Sequence, residues 1–398
     1  MNKLKQLNNY KILFSFRVLK SIINHFVSSF LVLYFLTLSE SNILPLGIYN
    51  LVAISVIFIT IFLLRNICKS KYRIHLLRIG IVLDLVYFIT IIMLKEKIID
   101  YIYIVGVLYG LEEGFYYSVY NMFESNGVSN KERTKYNGTY TATKAILSVL
   151  FPLIFGSLIA VTGFLKSLII VIIIVLVRII LSFIFKDENL PSTNKTNLRE
   201  FNNKIKENKN IIQMYKINIF NGLTYSEGAF KSIVTLYIIK VFSDSFSLGV
   251  FTSIFSLISC ILGLLFARKI NKKYYSSIMK ISTILTIISL CLMIINCNAI
   301  TIIIFNFLQT VSKDLTTLIN DTSQSNLSNI DEIKKDYKVE YFLGTELSLF
   351  IGRFVGQSLF ILMAFVDIIY IIPLFIVFLI MHMINSIKLQ NNLQGGNI

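Results

Sequence analysis

Twelve stretches of predominantly apolar residues run along the chain and are separated by polar segments. A helix that crosses a bilayer needs about 20 mainly apolar residues, and each stretch reaches that length. The pattern therefore predicts an all-α integral membrane protein with twelve transmembrane helices. The predicted spans cover residues 13–38, 44–64, 75–94, 99–122, 139–162, 165–186, 212–240, 246–267, 276–296, 299–321, 339–365 and 368–387.

The second half of the chain repeats the first about 202 positions later, as in a duplicated membrane unit. Leu-Gly-Ile-Tyr at 46–49 corresponds to Leu-Gly-Val-Phe at 248–251. Each opens an apolar run before a basic loop, which ends in Lys71-Tyr72 in one half and Lys273-Tyr274 in the other. The repeat predicts two six-helix pseudo-symmetric bundles with a substrate between them.

The longest polar segment separates the two halves and contains Pro191 among alternating charges, which is typical of a solvated linker. We therefore expect an N-terminal bundle at 1–186, a cytoplasmic linker at 187–210 and a C-terminal bundle at 211–398. A short amphipathic helix on the membrane surface is an alternative for the linker, but we expect a plain tether.

Basic residues concentrate before the first span and in the even-numbered loops, whereas the odd-numbered loops carry few. This is the positive-inside pattern, so both termini should be cytoplasmic. The net charge of +16 thus orients the chain in the lipid bilayer, and we expect no nucleic-acid partner. The basic segments contain Lys3, Lys5, Lys11, Arg65, Lys69, Lys71, Arg73, Arg78, Lys131, Arg133, Lys135, Arg268, Lys269, Lys272, Lys273, Lys334, Lys335 and Lys338.

A hydrophobic content of 55% and a mean hydropathy of +0.71 exclude an ordinary soluble domain. The four cysteines and three histidines have no paired metal-ligand spacing, so we expect neither a metal site nor a disulfide framework, and no cofactor. The frequent Ile, Asn and Lys are typical of an AT-rich bacterial genome. We expect a monomer in a bacterial plasma membrane.

The loops after the second and eighth spans resemble the signature loop of the major facilitator superfamily, a Gly-x-x-x-Asp-Arg/Lys-x-Gly-Arg/Lys-Arg/Lys pattern. Ala267 takes the acidic position in the second copy, and Asn66 stands near it in the first. The resemblance implies that these loops pack the cytoplasmic ends of the bundles and control opening. The matching gating-loop residues are Lys71, Arg73, Gly263, Arg268, Lys272 and Lys273.

In the fifth span, Pro152 and Gly156 resemble a degraded Gly-Pro-x-x-Gly-Gly motif of the antiporters in that superfamily. This favours export, and it places the chain nearer the drug-efflux subgroup. The alternative is that both residues serve helix packing.

Ionisable residues inside apolar spans provide the candidate chemistry, because an uncompensated charge at mid-bilayer costs about 2.5 to 3.5 kcal/mol on insertion scales. In the fourth span, Tyr109, Glu113 and Tyr116 recur at helical spacing, whereas Glu112 should point about 100° away. In the tenth span, Gln309 and Lys313 take the matching positions. We expect these stripes to line a central cavity, as the resemblance implies.

The remaining cavity candidates lie on four other spans. They are Asn24 in the first, Lys144 in the fifth, Thr224, Glu227 and Lys231 in the seventh, and Glu346 and Arg353 in the eleventh. The alternative interpretation is structural: Glu227 could pair with Lys231, and Glu346 with Arg353.

For three other charged residues within the predicted spans we expect a structural role. Asp84, alone in the third span, should partner a loop base. Arg17 and Lys20 in the first span should extend to the cytoplasmic surface.

A cavity with both signs of charge and several tyrosines suits a zwitterionic or amphipathic organic solute. We therefore predict secondary active transport by alternating access, coupled to protons through Glu113 and Glu227, in the direction of export. A membrane receptor or immunity protein that binds ligand without turnover is the alternative. An enzyme is disfavoured. Glu112 and Glu113 are the one adjacent acidic pair embedded in a helix, and their side chains should diverge by about 100°, which is unsuited to paired acid/base catalysis.

Overall fold

The computed structural model describes residues 2–127, 130–186, 196–206, 208–225, 233, 244–269, 272–296, 298–328, 330, 333, 337–366 and 368–395. Within those ranges the chain is helical and contains no β-strand. The helices are α1 (Asn2–Phe26), α2 (Val32–Leu38), α3 (Leu44–Leu64), α4 (Arg73–Leu94), α5 (Ile102–Gly127), α6 (Asn130–Thr162), α7 (Phe164–Ile184), α8 (Leu198–Ile205), α9 (Lys209–Thr224), α10 (Ser245–Lys269), α11 (Tyr275–Ile295), α12 (Ala299–Ser328), α13 (Lys338–Leu362) and α14 (Ile368–Gly395). A π-helical turn, Val27–Leu31, joins α1 to α2.

Nine helices of the described ranges are long and apolar enough to cross a membrane. They coincide with nine of the twelve predicted spans. The predicted fourth span is α5, a continuous helix whose composition is more polar because it carries Glu112, Glu113 and Glu124. The seventh predicted span begins in α9, and most of its later residues lie outside the described ranges; the eighth is α10.

The chain forms two compact units. Unit 1 comprises Met1–Lys195 with Phe242–Leu257, and unit 2 comprises Thr196–Val241 with Ile258–Ile398. The beginning of α10 thus belongs to unit 1 and its end to unit 2.

Small residues let the helices of unit 1 approach closely. A Cβ atom on Gly80 of α4 would lie 2.7 Å from the backbone nitrogen of Tyr116 in α5, and one on Gly110 of α5 would lie 2.7 Å from the carbonyl oxygen of Ala53 in α3. Larger side chains at these positions would push the helices apart. The glycines therefore set the position of α5 between α3 and α4.

Pro152 and Gly156 of α6 pack against the beginning of α10. A Cβ atom on Gly156 would lie 2.6 Å from the carbonyl oxygen of Ser245, and one on Gly249 would meet the carbonyl oxygen of Pro152. The proline-glycine pattern of the fifth span is therefore in close backbone contact with α10 within unit 1.

The linker contains a helix, α8, where the sequence suggested a plain tether. Asn197 caps it by accepting a hydrogen bond from the Glu200 backbone N–H at 3.2 Å, while its own amide donates to the Glu200 carboxylate at 2.9 Å. This reciprocal arrangement satisfies polar groups at the helix N-terminus. Phe201 and Ile205, one turn apart on α8, are buried.

Contacts with the N-terminal end of α13 hold α8 in unit 2. Phe201 stacks on Tyr337 with ring centroids 5.8 Å apart, and the Tyr337 hydroxyl donates a hydrogen bond to the Glu200 carboxylate. That bond to a negative group raises the pKa of the Tyr337 phenol. The backbone N–H of Asn197 donates to the carboxylate of Glu340 at 2.9 Å. The apolar face of α8 therefore packs on protein, where Phe201 and Ile205 join the core of unit 2.

Replacing Phe201 by Ala should release α8 from unit 2. Removing a buried phenylalanine side chain costs about 3 kcal/mol, which corresponds to a roughly hundredfold larger undocked population. We expect trypsin to cleave purified protein faster at Arg199 and Lys204 by about that factor, with the sites identified by mass spectrometry. Asn203→Ala changes an exposed residue of the same helix and should leave the cleavage rate unchanged. Equal rates in both variants would contradict the docking of α8.

Candidate functional site

Five ionisable side chains from four helices meet inside unit 1. Lys20 comes from α1, Asp84 from α4, Glu112 and Glu113 from α5, and Arg178 from α7. Each is at most 7% exposed. We call this group the charge cluster.

The packing of α4 on α5 explains how two members of the charge cluster meet. Gly80 lies against Tyr116, and the rings of Tyr87 and Tyr109 are 5.5 Å apart. These two contacts show that the helices run antiparallel in one register. The same register places Asp84, one turn after Gly80, beside Glu112, one turn before Tyr116.

Lys20 binds both adjacent glutamates. Its Nζ lies 2.6 Å from Oε1 of Glu112, 2.8 Å from Oε1 of Glu113 and 3.9 Å from Oδ2 of Asp84. The sequence predicts that Glu112 points about 100° away from Glu113, but in the structure both side chains reach the same ammonium group. Long glutamate side chains can reach a common ammonium group although their Cα–Cβ bonds diverge by about 100°.

Arg178 completes the charge cluster from the sixth span. Its Nη1 donates to Oδ2 of Asp84, and its guanidinium lies 4.9 Å from the ring centroid of Tyr116. Lys20 Nζ lies 5.8 Å from the same ring. Tyr116 thus faces both cations with its aromatic ring, an arrangement that favours positive charge.

The structure corrects two expectations about these residues. Lys20 is 2% exposed and is held inside the bundle instead of extending to the surface. Asp84 pairs with an arginine of another span instead of a loop base. Both corrections have one cause: a buried charge is stabilised by the nearest partner of opposite sign, which adjacent helices provide.

The carboxylates outnumber the cations in the charge cluster. Asp84, Glu112 and Glu113 face Lys20 and Arg178. In addition, Oε2 of Glu112 is buried without a hydrogen-bond partner among the described residues. A surplus negative charge in low-dielectric surroundings is costly, because desolvation is not repaid by pairing.

Tyrosines extend from the charge cluster along α5. Tyr109, a predicted cavity residue, packs against the rings of Tyr49 and Tyr87, and the hydroxyls of those two are 2.8 Å apart. On the other side, Tyr116 stacks on Tyr120 with centroids 5.0 Å apart. The predicted polar-aromatic stripe of the fourth span therefore packs mainly within unit 1.

Other predicted residues of unit 1 lie apart from the charge cluster. Asn24 is half-buried one turn after Lys20, and Lys144 is exposed on α6. Arg17 forms an ion pair with Glu124, and its guanidinium lies 3.7 Å from the ring centroid of Tyr140.

The predicted residues of unit 2 have varied surroundings. Thr224 is fully buried and donates to the Phe220 carbonyl at 2.7 Å. Gln309 is 7% exposed, and Lys313 is half-buried. Nη1 of Arg353 lies 4.0 Å from Oε2 of Glu346, which supports the structural pairing for these two. Glu227 and Lys231 lie outside the described residues.

The gating-loop residues lie at helix ends. Arg73, the first residue of α4, is 1% exposed and lies 5.3 Å from the ring of Phe123, whereas Lys71 is exposed. In the same loop, burial raises the pKa of the Cys68 thiol to about 11. Gly263 and Arg268 lie on α10, and Lys272 and Lys273 open a 3₁₀ turn, Lys272–Tyr274, in which Lys273 is exposed.

Unit 2 carries other side chains at the positions that correspond to the acids of the charge cluster. About 200 residues later in the repeat, Asp84 and Glu112 correspond to Thr286 and Ser312, which are buried, and Glu113 corresponds to Lys313. Ser312 faces the Tyr225 hydroxyl at 3.4 Å. These three positions of unit 2 therefore carry no acid.

Sequence reasoning missed Arg178 as a member of the site. The available signal was an arginine in the middle of the very apolar sixth span, since an intramembrane charge requires a partner. Asp84 carried the same signal in the third span. The sequence did not show that the third and sixth spans are neighbours.

Known protein families and proteins match most of this chain. A family profile described as Major Facilitator Superfamily matches residues 13–327. The uncharacterized protein YqgE of Bacillus subtilis (strain 168) is 19% identical over 327 residues, covering 81% of this chain and 75% of that protein.

Solved transporter structures share the architecture over nearly the whole chain. The nucleoside transporter NupG has a TM-score of 0.67 at 12% identity and covers 97% of this chain and 99% of its own. A bacterial homologue of the iron transporter ferroportin, in the inward-facing state, has a TM-score of 0.60 at 13% identity over 98% and 99%. The human organic anion transporter MFSD10 has a TM-score of 0.61 at 10% identity over 96% and 99%.

These matches agree with the apolar helices, the repeat and the all-helical fold. They indicate an integral membrane protein that acts in transport and is not an enzyme. The chain belongs to the Major Facilitator Superfamily.

Proposed function

We propose that the protein is a secondary active transporter that exports a small zwitterionic or amphipathic organic solute, by alternating access and in exchange for protons. The observation that carries this proposal is the charge cluster, in which Lys20 bridges Glu112 and Glu113 inside a membrane bundle. Buried ionisable groups in transporters are typical of coupling sites, because a change of protonation alters which contacts are favourable. The protein would act as a monomer in a bacterial plasma membrane, with both termini in the cytoplasm.

Glu113 is the carboxylate that we assign to coupling. It is 7% exposed, against 1% for Asp84 and 0% for Glu112, so a proton has the shortest route to it. A proton on Glu113 weakens its attraction to Lys20 and leaves that ammonium to Glu112. Since Lys20 lies on α1 and Glu113 on α5, protonation changes the force between these two helices.

The solute class follows from the candidate cavity residues, which offer both signs of charge and several phenol rings. A zwitterion could pair with groups of both signs, and an amphipathic cation could also lie on aromatic faces. We keep as substrate-cavity candidates Asn24, Tyr109, Glu113, Tyr116, Lys144, Thr224, Glu227, Lys231, Gln309, Lys313, Glu346 and Arg353.

The export direction rests on the fifth span. Pro152 and Gly156 match the surviving positions of the antiporter pattern, and they pack directly against Gly249 of α10. We assign the gating role to the basic loops, whose residues are Lys71, Arg73, Gly263, Arg268, Lys272 and Lys273.

A transport assay tests the proposal as a whole. Bacteria that express the gene should resist some members of a panel of toxic amphipathic compounds better than cells with an empty vector. In liposomes that contain purified protein, such a compound should accumulate when a pH gradient is imposed, and a protonophore should abolish the accumulation. Binding without flux would instead identify the receptor that the sequence left open.

Glu113→Gln should abolish proton-driven accumulation, because the amide cannot exchange a proton while its size is unchanged. We expect a loss of at least about a hundredfold in the initial rate, which corresponds to about 3 kcal/mol, the lower end of the cost of breaking a buried charge pair. Thermal unfolding should show that the variant is folded. Glu96→Gln, an exposed acidic residue between α4 and α5, is the matched control and should transport normally. Unchanged transport by Glu113→Gln would remove this residue from the mechanism.

A further inference from the structure

We infer that the interior of unit 2 binds ordered water in a polar layer formed by Asn218, Asn320, Thr345 and Ser386. These side chains come from α9, α12, α13 and α14, and each is at most 3% exposed. Nδ2 of Asn218, Oδ1 of Asn320, Oγ1 of Thr345 and Oγ of Ser386 have no hydrogen-bond partner among the described residues. Water binding in this layer does not depend on the proposed transport.

Two contacts between α12 and α14 bring Ser386 close to Asn320. Nδ2 of Asn320 lies 3.3 Å from Nε2 of His382, and Nε2 of Gln390 donates to Oγ of Ser323 at 2.8 Å. Ser386 lies one turn after His382 and one turn before Gln390, so it faces α12 between the two contacts. Its hydroxyl therefore lies beside the amide of Asn320.

The contacts of α9 place Asn218 at the same depth of the bundle. The side chain of Gln213 donates to the carbonyl oxygen of Asn385 at 3.0 Å, and the ring of Tyr225 packs edge-on against His382. Asn218 lies between Gln213 and Tyr225 along α9, and it shares a helix face with Tyr225, seven residues later. The Asn218 amide therefore lies at the depth of His382 and Asn385 of α14.

The packing of α13 on α9 adds Thr345 to the polar layer. A Cβ atom on Gly344 would meet the side chain of Tyr215, and one on Gly352 would meet the backbone of Ile219. The two helices therefore run parallel in this register. Thr345 follows Gly344 directly and shares a face with Gly352, seven residues later. Its hydroxyl thus faces the turn of α9 between Tyr215 and Ile219, which also carries the α9 amide of the polar layer.

The chemistry of the four unpartnered groups selects water as the occupant. Nδ2 of Asn218 can only donate a hydrogen bond, Oδ1 of Asn320 can only accept one, and the two hydroxyls can do either. The amide N–H would oppose a metal cation, and the amide oxygen would oppose an anion. Water both donates and accepts, and a buried water typically makes about three hydrogen bonds to otherwise unpartnered groups.

A buried hydroxyl elsewhere in unit 2 provides the contrast. Ser289 of α11 is fully buried, but it donates to the carbonyl oxygen of Thr286 in its own helix at 2.9 Å. A buried polar group that lacks a partner is costly, whereas one that has a backbone partner is satisfied. Water is therefore favoured in the polar layer and not required beside Ser289.

Pulsed X-ray radiolysis of the purified full-length protein in lipid nanodiscs tests for this water without any substrate. The pulse converts bound water into hydroxyl radicals, which oxidise the nearest side chains, and mass spectrometry locates the products. His382 contacts Asn320 and should be oxidised although it is buried. Phe360, a fully buried ring about four turns after Thr345 on α13, should react several times more slowly. A radical scavenger in the buffer should protect the exposed Tyr274 but not His382.

Removing partners of the water should slow the oxidation of His382. Thr345→Val and Ser386→Ala each remove one hydroxyl, so each should lower the rate several-fold, and the double variant should lower it further. Ser289→Ala is the matched control, because it removes an equally buried hydroxyl, and it should keep the wild-type rate. Thermal unfolding identifies the folded variants. If Ser386→Ala does not fold, Thr345→Val provides the same test with almost unchanged side-chain volume.

Four results would overturn the water site. The first is oxidation of His382 no faster than that of Phe360, and the second is equal protection of His382 and Tyr274 by the scavenger, which would identify bulk water as the source. The third is an equal effect of Ser289→Ala and Ser386→Ala. The fourth is a change in His382 oxidation when choline replaces sodium in the buffer, which would assign the polar layer to a monovalent cation.

Discussion

The energetic cost of an unpaired charge in a lipid-facing bundle governs the structure of unit 1. Lys20 and Arg178 can remain charged there only because Asp84, Glu112 and Glu113 approach them from neighbouring helices. The resulting contacts join α1, α4, α5 and α7. Apolar packing alone would hold these helices together less specifically, since lipid tails compete for the same contacts.

The close packing of the backbones is a condition for the charge cluster. Gly80 brings α4 against Tyr116 of α5, and this register places Asp84 beside Glu112. On the opposite side of α5, Gly110 brings α3 into backbone contact. Small residues and charged residues therefore act together. The glycines set the distance between the helices, and the charge pairs fix how each helix is rotated about its own axis.

The two units use the repeated architecture for different chemistry. Asp84 and Glu112 of unit 1 correspond in the repeat to Thr286 and Ser312 of unit 2. Hydroxyl groups keep hydrogen bonds within the bundle without the desolvation cost of ions. Unit 2 also carries the docked linker helix α8, whose Phe201 packs on Tyr337.

The sequence by itself determined the membrane class, the twelve predicted spans, the duplication and the family resemblance. These properties depend on local composition, because the bilayer thickness imposes a length and an apolar character on each span separately. It also marked Glu113 and Tyr116 as neighbours on one helical face. The linker helix could have been read from Asn197 and Glu200 as a capping pair, but its docking face could not.

Only the tertiary structure decided which charges meet. Lys20, Asp84 and Arg178 are distant in sequence, and each alone is compatible with a surface position, a loop partner or a cavity. Their partners depend on the order of the helices in the bundle, on the register of α4 against α5, and on side chains long enough to let Glu112 and Glu113 reach one ammonium group. Those quantities result from packing over the whole unit, and no local pattern of residues encodes them.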